Sequence, residues 1–469
     1  MRKTRIIATL GPATDSPERL AALLDAGVNI FRLNMTHAKH EWVRRVVADI
    51  RAIARQKHII PGILLDNQGP SIRTGDVPAP IQLSVGERFF FTVRGATPPD
   101  GAKGTSVNYD DLARDVRSGD ILVVDNGEMK MRILSTSSSL VECEILTEGS
   151  LGSRRHINLP GVRVSIPALT DKDRDDVALA LELKLDYVAL SFVRDPEDIA
   201  TLKACFHGHT HTPQVVAKIE HQFAVDHFDA IAHAADAIMV ARGDLGVECP
   251  YEELPIIQRR IVKSCIHMGK PVIVATQMLE SMITNPLPTR AEITDVANAV
   301  FEQADAIMLS GETTVGRHPV TCIEVMDRIA RRIERSGGAN YHEEAELTQP
   351  RQKLVKSATL LADQLHARAI IAFTRSGQMA RFAASLRPRH SAIFAICSDE
   401  ILAGQLTMLR GVTPIIIPSC SDDPEGSIEG AIQRLLHRGF VKKGDTVVIL
   451  VPHATTHDRQ VDTLKMHVV

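Results

Sequence analysis

Eight short apolar runs, each closing on polar residues, constrain this chain more than any other feature of its sequence. They are RIIATLG (5–11), VNIFRLN (28–34), PGILLDNQG (61–69), DYVALSF (186–192), VVAKIE (215–220), AIMVARGD (237–244), PVIVATQ (271–277) and AIMLSGE (306–312). Most are separated by helical patterns such as SPERLAALLDAG and EELPIIQRRIVKSCIHMGK, with apolar residues at i, i+3 and i+4. Near-continuous apolar strands alternating with helices imply a parallel sheet covered on both faces. Eight such units predict a (β/α)8 TIM barrel, whose active site lies where the strands end. Polar residues fall at those ends: Arg32, Asn34, Asp66, Ser191, Lys218, Glu220, Arg242, Asp244, Thr276 and Ser310.

The gap between the third and fourth runs is far longer than a β–α–β crossover needs. Its stretches ERFFFTVRG, DILVVDNG, EMKMRILST and LVECEILTEG have the look of short strands between Gly, Asn and Ser turns. We expect a small inserted all-β lid domain, a small β-barrel, over residues 71–167, placed in a βα loop where it can close over a ligand. The barrel then comprises 1–70 and 168–338, ending in the helix VTCIEVMDRIARRIER. After a polar linker, SGGANYHEEAELTQP, the runs ARAIIAFT, SAIFAIC, TPIIIP and DTVVILVP alternate with helices, which predicts a C-terminal open α/β domain over 339–469.

Composition narrows the function. Lys plus Arg is 54 and Asp plus Glu 57, a net charge of −3, so nothing points to nucleic acid or a membrane surface. Aromatic residues are only 4%, too few for base-stacking platforms. No apolar run approaches a membrane span, and the start MRKTR lacks a signal-peptide core, so the expected location is cytoplasmic. The seven cysteines are scattered without a C-x-x-C pair, which predicts buried thiols instead of disulfides or a zinc site.

Side chains two apart on a strand share a face, so Lys218 and Glu220 should point one way, as should Arg242 and Asp244. Glu220 and Asp244 can chelate one hard divalent cation and leave positions for substrate oxygens, which suits Mg²⁺. The competing reading is a structural ring of ion pairs with Lys218 and Arg242. Arg32, Asn34 and Thr36 form another same-face series, in which Arg32 can fork onto a phosphate or pair with Asp66. The oxygens of Asn34, Thr36 and Asp66 can also gather round a monovalent cation. Thr276 and Ser310 can each relay a proton or cap a helix. Thr374, Arg375, Ser376 and Gly377 sit between a strand and a helix, where either an effector phosphate or plain capping fits.

Ten stretches in order, RKTRIIATLGPA, GVNIFRLNMTH, LDNQGPSIRTG, GSLGSRRHINLPG, LSFVR, KIE, ARGDLGVE, ATQMLESM, PTRAEITDVANAV and IMLSGETTVG, closely resemble the pyruvate kinase family over nearly the whole chain. The resemblance implies phosphoryl transfer from phosphoenolpyruvate to ADP, giving pyruvate and ATP. It implies Mg²⁺ (or Mn²⁺) at Glu220 and Asp244, and Lys218 stabilising the moving phosphoryl group and the enolate. Thr276 would deliver a proton with Ser310 nearby. The amides of Gly243 and Asp244 would face the substrate carboxylate and Arg32 its phosphate. The nucleotide would lie against Asn34, His37, Arg73 and Arg155, and K⁺ against Asn34, Thr36, Asp66 and the carbonyl of Asn67. A homotetramer is also implied, with the C-terminal domain serving regulation and assembly.

Several positions depart from the family pattern. Ser71 supplies neither the Glu that accompanies a K⁺ requirement nor the Lys that replaces the ion. Asn126 replaces an Asp, Arg154 and Arg155 replace a Lys pair, and Val315 stands where Lys is common. The usual Gly-rich loop near the C-terminus reads VPHATTHDRQVDTL, which argues for a sugar monophosphate or similar anionic effector, or none, over a sugar bisphosphate. Two other readings stand beside the kinase: a metal-dependent aldolase or lyase on a pyruvate-like substrate, and an inactive regulatory paralogue.

Overall fold

A computed structural model describes residues 1–125, 127–417, 424–456 and 459–469, and of 424, 452–456 and 459–461 the backbone alone. Asn126 and Cys420 lie outside the described residues, as do most side chains of VPHATTHDRQVDTL.

All eight apolar runs are strands of one closed parallel barrel: β1 (Arg5–Thr9), β2 (Ile30–Asn34), β3 (Gly62–Asp66), β4 (Tyr187–Leu190), β5 (Gln214–Ile219), β6 (Ala237–Ala241), β7 (Val272–Ala275) and β8 (Ala306–Leu309). Each pairs with its neighbours in sequence, and β8 returns to β1 in register Arg5 to Ala306. Inward residues such as Ile7, Leu64, Val216, Met239 and Ile273 pack the barrel centre, while outward ones such as Ile6, Phe31 and Val240 meet the helices. Helix ends follow local chemistry. Ser16 caps the helix Pro17–Ala26 by accepting from Arg19 N, and Gly27, at φ +109°, ends it. Thr170 and Asp173 form a reciprocal capping box on Asp171–Glu182.

Between β3 and β4 lies the inserted all-β unit. Its strands make a six-stranded sheet, ordered Ile157–Asn158, Ile121–Val124, Met129–Thr136, Leu140–Ile145, Arg88–Thr92 and Gly104–Ser106, plus the pair Ile81–Leu83 with Gly149–Leu151. The expected small β-barrel thus takes the form of two sheets around one core that includes Phe89, Phe91, Met131 and Ile133.

The C-terminal sheet is ordered Val412–Ile416, Ala392–Cys397, Ala369–Phe373, Thr446–Thr456 and Arg459–Val468. The first four strands are parallel, as the apolar runs predict. The fifth is antiparallel, and its alternating polar sequence RQVDTLKMHV hides it from a search for apolar runs. This domain closes the bottom of the barrel. Met408 joins the barrel's inner core, and the Tyr187 hydroxyl donates to Gly404 O at 3.1 Å. Cys143, Cys205, Cys249, Cys265 and Cys322 are free thiols, and all but Cys205 are buried. Among the described residues no helix is long and apolar enough to cross a membrane.

Candidate active site

The carboxyl ends of β2 to β6 and one edge of the inserted unit enclose a cleft of about 590 Å³. Arg32 and Asn34 reach it from β2, Lys218 from β5, and Glu220 from the residue after β5. Thr36, Asn67 and Asp244 line it from the loops and the helix that follow the strands, and Arg73 and Arg155 from the inserted unit.

At its floor is a buried charge network. Lys218 Nζ lies 2.8 Å from Glu220 Oε1, 3.3 Å from Asp66 Oδ1 and 2.7 Å from Ser191 Oγ. Arg32 Nε donates to Asp66 Oδ2 at 2.6 Å, and its Nη1 donates to Thr9 Oγ1 at 3.0 Å. Burial alone would lower the Lys218 pKa, but the Asp66 and Glu220 carboxylates more than reverse this and raise it. Burial likewise pushes Asp66 up, and Arg32 and Lys218 overcome it to hold the carboxyl below its ordinary value. Glu220 is raised, chiefly by burial and also by the charge of Asp244, despite the opposing pull of Lys218. One cation is therefore permanent, and the neighbouring carboxylate pair repels itself.

Backbone shape holds these groups in place. Gly69 has φ +70°, and a Cβ there would lie 2.7 Å from Ser191 Cβ and 2.9 Å from Phe192 Cδ2, so only glycine fits. Its amide donates to Asp173 Oδ1 at 3.0 Å, which fastens the loop after β3 to the next barrel helix. Phe192, at φ +56°, turns its amide onto Glu220 Oε2 at 2.5 Å. The Phe192 ring meets His156 of the inserted unit, 5.8 Å between centroids. Burial, and then Arg73, lowers the His156 pKa to about 4, so this contact is uncharged near neutrality.

Several sequence expectations need correction. Arg242 and Asp244 do not share a strand face: β6 ends at Ala241 and a short helix, Arg242–Glu248, begins. Asp244 lines the cleft, whereas Arg242 donates to Asp295 Oδ1 at 2.6 Å and to the carbonyls of Ala275 and Thr276. The structural ring is therefore half present, as the Lys218–Glu220 pair without an Arg242–Asp244 pair. Thr276, at φ +67°, is not an N-cap residue, but its Oγ1 accepts from Gly243 N, in the first turn of the Arg242–Glu248 helix, at 2.8 Å and donates to Ala275 O at 2.6 Å. The Gly243 amide is thus occupied by a side chain. Ser310 stands at the N-cap of a four-residue helix without a side-chain capping bond and does not line the cleft. Val315 is exposed.

Asn34, His37, Arg73 and Arg155 all line the cleft. Arg73 Nε donates to Ser71 Oγ at 3.2 Å, Arg155 Nη1 lies 3.2 Å from Asp125 Oδ2, and Arg154, also in the cleft wall, pairs with Asp76. The sequence reading passed over Ser191 as a site residue. Its hydroxyl accepts from Lys218 and donates to Asn67 O at 2.9 Å, so it sets the position of the ammonium. Its place one residue beyond β4 was the available signal. Asn67 Nδ2 is buried in the cleft wall without a hydrogen-bond partner.

The donor set bears on metals. Among the described residues no group of three or more His, Cys, Asp or Glu side chains could hold an ion alone. Two carboxylates at a cleft are instead what Mg²⁺ takes when substrate oxygens complete its shell, so Glu220 and Asp244 fit a divalent cation. The amide, hydroxyl, carboxylate and carbonyl oxygens of Asn34, Thr36, Asp66 and Asn67 match K⁺ in kind. However, Asp66 already pairs with Arg32 and Lys218.

Fold and cleft together define a (β/α)8-barrel enzyme with a charged, lidded mouth. The family pattern described as "Pyruvate kinase, barrel domain" matches residues 1–323, and "Pyruvate kinase, alpha/beta domain" matches 352–467. Plastidial pyruvate kinase 2 of Arabidopsis thaliana is 39% identical over 461 residues, 96% of this chain and 78% of its own. Pyruvate kinase of Sporosarcina psychrophila is 37% identical, covering 100% of this chain and 81% of its own. A crystal structure of a pyruvate kinase from Cryptosporidium parvum superposes with a TM-score of 0.93 at 33% identity, covering 100% of this chain and 96% of that one. The chain belongs to the pyruvate kinase family and is a phosphotransferase, which sets the lyase reading aside.

Proposed function

We propose that this chain transfers the phosphoryl group of phosphoenolpyruvate to ADP, forming pyruvate and ATP, in the cleft above β2 to β6. The observation that carries this reading is the meeting of Arg32, Lys218, Glu220 and Asp244 at one barrel mouth. Phosphoryl transfer needs positioning and fixed positive charge more than covalent help from the protein. Arg32, steered by Asp66 and Thr9, presents its remaining donors to the phosphate. Lys218 stays charged and is anchored by Ser191, so it meets the anionic phosphoryl group without reorganising. A divalent cation, Mg²⁺ or Mn²⁺, held by Glu220 and Asp244 supplies further charge neutralisation at the substrate oxygens.

The phosphorus–oxygen bond of the substrate breaks as a β-phosphate oxygen of ADP bonds to phosphorus. The enolate left behind takes a proton at carbon. Thr276 is the group proposed to deliver it, through water, after its hydroxyl leaves Ala275 O. Ser310 is the second hydroxyl in this scheme. The Asp244 amide is proposed to face the substrate carboxylate, and the Gly243 amide joins it only if Thr276 releases it. Asn34, His37, Arg73 and Arg155 are proposed to hold the nucleotide, which explains basic side chains on the lid edge.

K⁺ at Asn34, Thr36, Asp66 and Asn67 is proposed on donor chemistry. The turn of buried Thr374 with exposed Arg375 and Ser376, closed by Gly377 at φ +82°, is proposed as the place of an anionic effector such as a sugar phosphate. We place the domain limits at 71, 168 and 339, assign the enzyme to the cytoplasm, and expect a homotetramer by family likeness. The test is steady-state pyruvate release from phosphoenolpyruvate, ADP and Mg²⁺, with K⁺ or a bulky organic cation as the sole monovalent ion. Turnover only with K⁺ supports both transfer and the cation site. Turnover in both supports transfer alone, and none in either overturns the reading in favour of an inactive paralogue.

A further inference from the structure

A second cavity, of about 960 Å³, opens at the opposite end of the barrel, where β1 and β8 begin and the C-terminal domain docks. Its walls carry seven Lys or Arg residues and three Asp or Glu residues; Arg331 and Arg387 pair with Asp327 and Asp305 behind the wall and Arg410 with Glu334, which leaves the other cations in excess. Glu334 is already taken by the amides of Lys3 and Thr4 and by the Thr4 hydroxyl. Asp363 accepts from the amides of Arg389 and His390. The side chains of Arg335, Lys356 and Arg389 make no ion pair or hydrogen bond among the described residues.

The wall also holds unmet hydrogen-bonding capacity. Of three buried side-chain atoms without a partner among the described residues, two are here: Arg387 Nε and His342 Nδ1. Arg387 is 6% exposed, sits at φ +50°, and spends its two Nη atoms on Asp305, at 2.9 and 2.7 Å. An orphaned donor on a buried guanidinium costs free energy unless something binds it. Burial, and then the nearby charge of Arg410, depress Lys3 to about 8 against the pull of Glu334 and Asp363, and its ammonium donates to the carbonyls of Pro388 and Arg389.

From this wall we infer that the cavity binds a phosphomonoester, with its phosphate among Arg389, Lys356 and Arg387. A dianion answers several unpaired cations at once, as Arg and Lys clusters do for phosphate. The volume exceeds what inorganic phosphate fills and accommodates an attached sugar or nucleoside. The ligand would touch both the barrel, through the Lys3 and Arg335 segments, and the C-terminal domain. It would therefore act on the junction that Arg387–Asp305 ties to the start of β8. This site is separate from the Thr374–Gly377 turn, and it does not depend on the reaction assigned to the cleft.

Calorimetric titration of the full-length protein tests it, with adenosine 5′-monophosphate and glucose 6-phosphate as phosphomonoesters, and inorganic phosphate and adenosine as controls. At least one phosphomonoester should bind more tightly than both controls. Arg389→Ala and Lys356→Ala should each weaken that binding by about tenfold or more, the worth of one charge-assisted hydrogen bond. Both should leave basal kcat unchanged, and in Ser376→Ala, which removes only binding at the turn, the binding step that Arg389→Ala weakens should persist. Loss of binding in Ser376→Ala with none in Arg389→Ala would transfer the ligand to the turn and overturn the proposal. Failure of both phosphomonoesters to bind, or phosphate binding as tightly as either, would also overturn it.

Discussion

Replacing Lys218 by Met removes the one cation that touches Glu220, Asp66 and Ser191 together, at 2.8, 3.3 and 2.7 Å. In a buried site one preorganised donor to developing charge is worth about 3–4 kcal/mol, or 10²–10³ in kcat. The substitution also leaves Glu220 and Asp244 repelling each other, which pushes Glu220 further up and weakens its hold on a cation. The two effects act on the same step, so kcat should fall by at least about 10³. Stability should suffer less. Breaking a buried ion pair costs about 3–5 kcal/mol, and the low end applies here because Asp66 keeps Arg32 and Glu220 can take up a proton. Circular dichroism and a thermal melt establish that Lys218→Met folds, and steady-state pyruvate release then gives kcat. A folded variant retaining kcat within about tenfold of the parent would refute the role given to Lys218.

Asp244→Asn should raise the Mg²⁺ concentration for half-maximal activity by about tenfold or more, read from a metal titration of the rate; an unchanged titration would remove Asp244 from the metal site. Asp186, at the buried start of β4, has its carboxyl raised to about 7 by burial, against an ordinary value of 3.8. Folding therefore takes up a proton between those values, and stability should fall by up to a few kcal/mol as pH rises through that window. Asp186→Asn should flatten the slope in denaturant melts from pH 4 to 7, and an unaltered slope would assign it elsewhere. Gly404 lies against the same carboxylate, where a Cβ would sit 1.9 Å from Asp186 Oδ1. Gly404→Ala should thus cost about 1–3 kcal/mol by overpacking, seen as a lower melting temperature; an unchanged melt would mean that the domain junction gives way freely.

The barrel was legible because parallel strands buried on both faces leave uninterrupted apolar runs, and all eight runs became strands. The four leading strands of the C-terminal sheet were legible for the same reason. The fifth, Arg459–Val468, alternates polar and apolar residues at a sheet edge and carries no such run. Strand periodicity correctly set Lys218 and Glu220 on one cleft, since β5 runs to Ile219. It failed at Arg242 and Asp244 because the chain turns helical after Ala241, and a helix separates residues that a strand aligns. Ser191 and the Thr276–Gly243 bond depend on which loops meet across the barrel mouth, a long-range geometry that local spacing does not encode.

The reaction proposed is direct transfer between two bound substrates at the Lys218 cleft. The most direct test is a rapid-quench single turnover with phosphoenolpyruvate carrying a radioactive phosphate, excess enzyme, ADP and Mg²⁺. Label should appear in ATP at the same rate as pyruvate, with none in inorganic phosphate, and both signals should be lost in Lys218→Met. Label in inorganic phosphate, or pyruvate formed without ADP, would contradict it.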